Sequence, residues 1–152
     1  MKARDMMVTQ VYKVKESDNV RGVIERFIEH GISGVPVVND ANVVVGYVSD
    51  GDIMRFIGKP DYGVFEMLSN MFFVQTGELE PFEERTKRLL DLNVMEIAQK
   101  KIITVDWEEE IENVAGILGK KRIKKLPVVR RNVLVGIISR GNVVRHAFNN
   151  LL

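Results

Sequence analysis

Apolar residues in this chain fall into two patterns, and the pair of patterns occurs twice in the same order. Val20, Val23, Ile24, Phe27 and Ile28 recur at three- and four-residue spacing, which predicts a helix with one buried face. Ser17 is placed to cap its start, and Gly31 supplies the left-handed residue that stops it. Residues 11–14 alternate weakly and read as a short strand before that helix. After it come two β-branched runs, 35–38 and 43–48, separated by Asn39-Asp40-Ala41-Asn42, whose Asn and Asp side chains favour a turn. Runs joined this way form a hairpin. Ser49 or Asp50 then caps a helix through Ile53, Met54 and Ile57, which Gly58-Lys59-Pro60 ends.

The order returns further on. Residues 102–105 read as a strand. Asp106 is placed to cap a helix with Glu108, Glu109 and Glu110 in its first turn and Ile111, Val114, Ile117 and Leu118 on its buried face. Runs 126–129 and 133–138 flank the turn Arg130-Arg131-Asn132, and a last helix runs from about Gly141 to Phe148. The match holds residue by residue: Pro36 with Pro127, Asn42 with Asn132, Gly46 with Gly136, Ser49 with Ser139, Gly51 with Gly141 and Arg55 with Arg145. The offset is 91 residues at the prolines and 90 after the turn, so the second turn is one residue shorter. Each copy is strand, helix, strand, strand, helix, a mixed α/β (α+β) unit. Hairpin strands apolar nearly throughout are covered on both faces, and one copy of about 45 residues cannot do that alone, so the copies pack on each other.

The expected division is a first repeat over 1–60, an insert over 61–93 and a second repeat over 94–152. The insert matches neither copy. Phe65, Leu68, Met71 and Phe72 can form one helix face; Pro81 can open another helix, lined by Phe82, Leu89, Leu90 and Leu92, with Glu83, Glu84, Arg85, Lys87 and Arg88 toward water. Its apolar groups pack on the chain's own core, meet a second copy or cover a ligand.

Composition narrows the function. The 152 residues are 45% apolar and 28% charged, which is ordinary globular composition. A net charge of +1 gives no general drive toward nucleic acid or acidic membranes. The absence of cysteine excludes disulfides and thiol catalysis and favours the cytoplasm. No apolar run is long enough for a membrane span, and no signal-peptide core follows Met1. His30 and His146 are the only histidines, with no nucleophile–base pair and no hydrolase, phosphate-loop or metalloprotease motif, so an enzyme is not expected.

The motifs Gly46-Tyr47-Val48-Ser49-Asp50-Gly51-Asp52 and Gly136-Ile137-Ile138-Ser139-Arg140-Gly141-Asn142, each behind a proline-containing strand, resemble the CBS domain, in the tandem pair known as the Bateman module. The resemblance covers about 11–57 and 94–148. It implies two repeats packed about a pseudo-twofold axis, with two related clefts that bind adenosyl ligands: AMP, ADP or ATP, with Mg²⁺ riding on the phosphates, or S-adenosylmethionine or a dinucleotide. It also implies a regulatory role toward a separate partner, and a homodimer. The alternative is a structural dimerisation module that takes no ligand.

The same resemblance sorts the residues. Asp52, near the start of its helix, accepts from the ribose hydroxyls in a charge-assisted bidentate contact, whereas Asn142 carries no charge and makes a weaker site. Ser49 and Ser139, at helix N-termini, suit phosphate or plain capping. Lys124 and Lys125 stand where the family often has phosphate-binding cations, while the first copy has Ser33 and Gly34 there; Arg140 adds to the second motif. The resemblance places Ile32 and Ile123, and Tyr47-Val48 or Ile137-Ile138, beside the adenine, where ordinary core is the alternative role, and backbone near Thr104 and Tyr12-Lys13 at its edge. Paired crosswise, one site holds Asp52, Ser49, Ile123, Lys124 and Thr104, and the other Asn142, Ser139, Ile32, Ser33 and Val14. The first is favoured because it combines a carboxylate with lysines.

Overall fold

A computed structural model describes residues 1–59, 80–120 and 123–152. The helix expected around Phe65, Leu68, Met71 and Phe72 lies outside the described residues, as do Lys121 and Arg122. The elements are α1 (Ala3–Met6), β1 (Val14–Lys15), α2 (Val20–His30), β2 (Gly34–Val38), β3 (Val44–Ser49), α3 (Asp50–Ile57), α4 (Phe82–Asp91), a 3-10 turn (Val94–Glu96), β4 (Val105–Asp106), α5 (Ile111–Lys120), β5 (Lys125–Arg130), β6 (Val133–Ser139) and α6 (Arg140–Phe148). The two sheets, β1-β2-β3 and β4-β5-β6, have the same topology: the first pair parallel, the second antiparallel. Register repeats too. Val14 pairs Val37 as Val105 pairs Val128, and Val37 faces Gly46 as Val128 faces Gly136, with an irregularity one residue later in both.

The hairpin turns are as the sequence predicts. Asn42, Arg131 and Asn132 carry positive φ, and Gly31 ends α2 at φ 61°. The short strands differ: β1 and β4 are two residues each, not 11–14 and 102–105, because only those residues lie beside the central strand. Ser17 does not cap α2. A turn closed by Lys15 N–H donating to Asp18 Oδ2 (2.9 Å) intervenes, and Asn19 is the cap position. The same backbone turn follows β4, where Glu109 N–H donates to Asp106 C=O (2.9 Å) as Asp18 N–H does to Lys15 C=O (2.9 Å); Asp106 Oδ1 accepts from Glu108 N–H at 2.9 Å, so Asp106 caps no helix and Glu108 to Glu110 precede α5. Glu108 instead pairs with Lys2 and Arg4. In the insert, α4 begins after Pro81 as expected and buries Leu89, but Phe82 is exposed. Coverage on both faces holds for β2, and for Leu126, Pro127 and Val128 of β5; β3 and β6 alternate between buried and half-buried residues.

There are two principal cores, and each takes a segment from outside its own sheet. The first, around Val14, Val23, Val35, Val37, Val48 and Ile53, includes Leu89 and Val94. The second, around Val105, Val114, Leu126, Val128 and Ile138, includes Ala3 and Met6 of α1. The exchange obeys the repeat's own offset. Ala3 N–H donates to Glu109 C=O (2.8 Å), and Val94 N–H donates to Asp18 C=O (2.9 Å); Ile111 N–H donates to Met1 C=O (3.0 Å), and Val20 N–H to Leu92 C=O (2.9 Å). These are the same two bonds with the copies exchanged, a pseudo-twofold relation written in hydrogen bonds. On that axis Val43 bridges Val133, Asn42 C=O accepts from Leu134 N–H at 2.9 Å, and Val38, Val44 and Leu134 form a third apolar cluster.

The motif glycines follow from the exchange. Tyr47 and Gln99 trade backbone hydrogen bonds of 3.0 and 2.8 Å, as Val8 and Ile137 do at 2.9 Å. The crossing segment therefore lies directly over the residue before Tyr47 or Ile137. A Cβ on Gly46 would meet the Gln99 carbonyl oxygen and Ala98 at 3.3 Å, and one on Gly136 would meet Met7 Sδ at 2.5 Å.

Candidate functional site

Each α3-type helix starts where a β3-type strand ends, so its first turn points into the space between the copies. Two pseudo-equivalent clefts result. The first, of about 460 Å³, is lined by Ser33, Gly34, Tyr47, Ser49, Asp50, Asp52 and Arg55 from the first copy and by Gln99, residues 101–103, residues 123–125 and Pro127 from the second half. The other, of about 230 Å³, is lined by Val8, residues 10–12, Ile32, Gly34, Lys125, Ile137, Ser139 and Asn142. The crosswise assembly expected from the sequence is therefore present: Asp52 and Ser49 share a cleft with Ile123, Lys124 and Lys125, while Asn142 and Ser139 share one with Ile32.

Several expected residues stand elsewhere. Thr104 does not line the first cleft; residues 101–103 do, because strand β4 begins only at Val105. Val14 is 1% exposed in the first core and does not line the second cleft, where residues 10–12 do. Ser33 lines the first cleft, not the second. Val48 and Ile138 are buried in the cores, because alternation along β3 and β6 turns only Tyr47 and Ile137 outward. Arg140 is exposed and lines neither cleft; its backbone N–H donates to Lys124 C=O (3.2 Å), as Asp50 N–H donates to Ser33 C=O (2.8 Å). Lining residues that sequence reasoning did not name include Gln99, Lys101 and Arg55. The signal in the sequence for the first of them is the repeat offset of 91, which pairs Gln99 with Val8.

Asp52 is the buried acid of the site, 5% exposed. Its Oδ2 accepts from Ser49 N–H (2.8 Å) and Ser49 Oγ–H (3.2 Å), which closes a capping box at the start of α3. Its Oδ1 accepts from the Gln99 amide at 2.8 Å and from the Arg55 guanidinium. The second copy repeats the cap with an amide: Asn142 Oδ1 accepts from Ser139 N–H and Oγ–H, both at 2.8 Å. Ser139 Oγ also accepts from Asn142 N–H at 3.1 Å and so caps its helix, while Ser49 holds the N-cap position of α3. The lysines lining the first cleft are Lys101, Lys124 and Lys125, and the second cleft is lined by Lys125.

Tyr47 stands over Gly34, where any side chain would collide with the ring. Burial, then the Asp50 carboxylate, raises its pKa to about 12. The folded state thus holds this proton more tightly than the unfolded chain. Its contribution to stability is full below the ordinary tyrosine range and is lost as pH rises from about 10 toward 12. An ultraviolet tyrosinate titration is expected to show a late-ionising component that Tyr47→Phe removes; an unchanged titration in that variant would place the late group elsewhere.

Among the described residues, no group of three or more His, Cys, Asp or Glu is placed to hold a metal, and no helix is long and apolar enough to cross a membrane. The family model for the CBS domain matches residues 3–59 and 94–149. The uncharacterized protein MJ1426 of Methanocaldococcus jannaschii is 28% identical over 151 residues, covering 95% of this chain and 89% of that protein. CBSX1, a chloroplastic CBS domain-containing protein of Arabidopsis thaliana, is 32% identical over 141 residues, 90% of this chain but 59% of CBSX1. The crystal structure of CBSX2 in complex with AMP aligns with TM-score 0.72 at 25% identity over 97% of each chain, and that of CBSX2 from Arabidopsis thaliana with TM-score 0.76 at 26% identity, covering 99% of this chain and 96% of that one.

Proposed function

The chain belongs to the CBS domain family as a tandem pair, and from that premise we propose that it is a regulatory module whose first cleft takes an adenine nucleotide and whose output passes to a separate protein. The observation that carries the reading is the crosswise cleft itself. It sets the Asp52 carboxylate of one copy opposite Ile123, Lys124 and Lys125 of the other. The carboxylate suits a ribose hydroxyl, the lysines suit phosphate, and Tyr47 and Ile123 offer apolar surface to the base. That CBSX2 is seen with AMP, at 25% identity and nearly full coverage, supports the same class of ligand. AMP is the first choice, ahead of ADP or ATP with Mg²⁺ on their phosphates. A ligand bridging both copies signals only by favouring one of their arrangements over another.

A dimerisation module without ligand is the second reading. Asn142 in place of a carboxylate favours it, and so do exposed Met54 on α3 and Val144 and Phe148 on α6, which are apolar surface for a second copy. A thermal-shift panel of AMP, ADP and ATP with and without Mg²⁺, S-adenosylmethionine, NAD and GTP separates the two. A bound nucleotide at about 100 times its Kd stabilises by about 2.7 kcal/mol, a rise of roughly 5–10 °C in Tm for a chain of this size. No shift with any ligand at saturating concentration would remove the nucleotide reading and leave the dimer.

A further inference from the structure

The two oxygens of Asp52 are not equivalent. Oδ2 is turned inward and held by the backbone and hydroxyl of Ser49, so the helix cap occupies it. Oδ1 faces the cleft and already has two donors, the Gln99 amide at 2.8 Å and Arg55. A hydroxyl can reach this carboxylate only by taking a place that a protein group now fills. The two groups differ in what else holds them. Gln99, itself exposed, belongs to the crossing segment, and two hydrogen bonds with Tyr47, 3.0 and 2.8 Å long, pin its backbone beside Asp52. Arg55 is 67% exposed along its side chain, against 2% for Asp52, so its guanidinium leaves into water at small cost.

We propose that nucleotide entry into the first cleft is an exchange at Asp52 Oδ1. One ribose hydroxyl takes the place of Arg55, while Gln99 keeps its bond and thereby fixes which hydroxyl is read. Arg55 is thus a competing internal partner that weakens binding, and Gln99 is a positioning residue that acts through Asp52. The second cleft has no such arrangement, since Val8 stands in the place of Gln99 and an amide in the place of the carboxylate. The inference rests on the first cleft being the adenosyl site.

Calorimetric titration of AMP, 2′-deoxy-AMP and 3′-deoxy-AMP into wild type, Arg55→Met, Arg55→Lys and Gln99→Met tests it. Arg55→Met is expected to bind AMP roughly two- to fivefold tighter, the worth of an ion pair whose cation is exposed, with Arg55→Lys returning toward wild type. In wild type, losing one hydroxyl should cost about tenfold or more and losing the other under about threefold; Gln99→Met should bring the two losses together. Unchanged or weaker AMP binding by Arg55→Met, or equal sensitivity of wild type to both hydroxyls, overturns the exchange and leaves the adenosyl site standing. Should wild type bind none of the three, binding that appears only in Arg55→Met supports the exchange, and its absence there overturns the exchange and the site together.

Discussion

Asp52→Asn should remain folded with little change in Tm and bind AMP about ten- to a hundredfold more weakly, the range for a hydrogen bond to a charged acceptor. The chain contains its own control for the fold. In the second copy an asparagine occupies this position, and its Oδ1 takes both Ser139 bonds at 2.8 Å, so an amide closes the cap as well as a carboxylate does. What Asn cannot supply is the charge toward the ribose. Asp52→Ala loses the cap as well, at about 1 kcal/mol, and leaves the Ser49 N–H without its acceptor. The asparagine variant is therefore the cleaner probe. Titration of both proteins with AMP separates the outcomes. Near-wild-type affinity in Asp52→Asn would mean that the lysines hold the ligand without the carboxylate. Wild-type affinity in Asp52→Ala as well would move the occupied site to the Asn142 cleft.

How far the sequence reached follows from where identity survives between the copies. Hairpins, turns and the two motif helices were legible, because proline, glycine and asparagine recur there under backbone constraints that few residues satisfy. The crosswise pairing of Asp52 with Ile123 and Lys124 came from the family resemblance that the repeated motif carries, since the repeat by itself does not say which faces meet. The exchanged segments were not legible. Met1 to Met7 and Leu92 to Ala98 lie at the same offset of 91 residues but share no identical residue, only character at some positions, as apolar Ala3 with Val94 and acidic Asp5 with Glu96 show. A four-residue helix and a single 3-10 turn offer too few positions for a periodicity to show. The misassigned caps at Ser17 and Asp106 have one cause. Both copies place a tight turn between the short strand and the helix, and the Ser and Asp residues that favour such a turn are the same types that cap a helix. Gln99 was missed because its role comes from the exchange and not from any motif around it.

The exchange makes the N-terminal residues structural. Ala3→Asp, a change in what looks like a leading tail, should destabilise the protein by about 3–5 kcal/mol, the cost of an uncompensated buried charge, which lowers Tm by roughly 6–20 °C. Ala3 is fully buried among the side chains of the second core, and its N–H is committed to Glu109 C=O. A carboxylate there has no cation placed to meet it, since Lys2 and Arg4 are turned outward to Glu108 and Glu110. Trp107, the one tryptophan, packs against this core and lies beneath Arg4 at 5.5 Å and Arg130 at 4.1 Å, so its fluorescence reports on the second copy directly. Because each core is completed by a segment from outside its own sheet, neither copy can lose its packing alone. Fluorescence and circular dichroism should therefore give coincident melting curves in wild type and variant alike. Ile28→Asp, at a position 78% exposed, is the matched control and should change Tm little. A Tm for Ala3→Asp within the range of that control would mean the N-terminal helix contributes nothing to the second core, and separate transitions for the two signals would mean the copies fold as independent units.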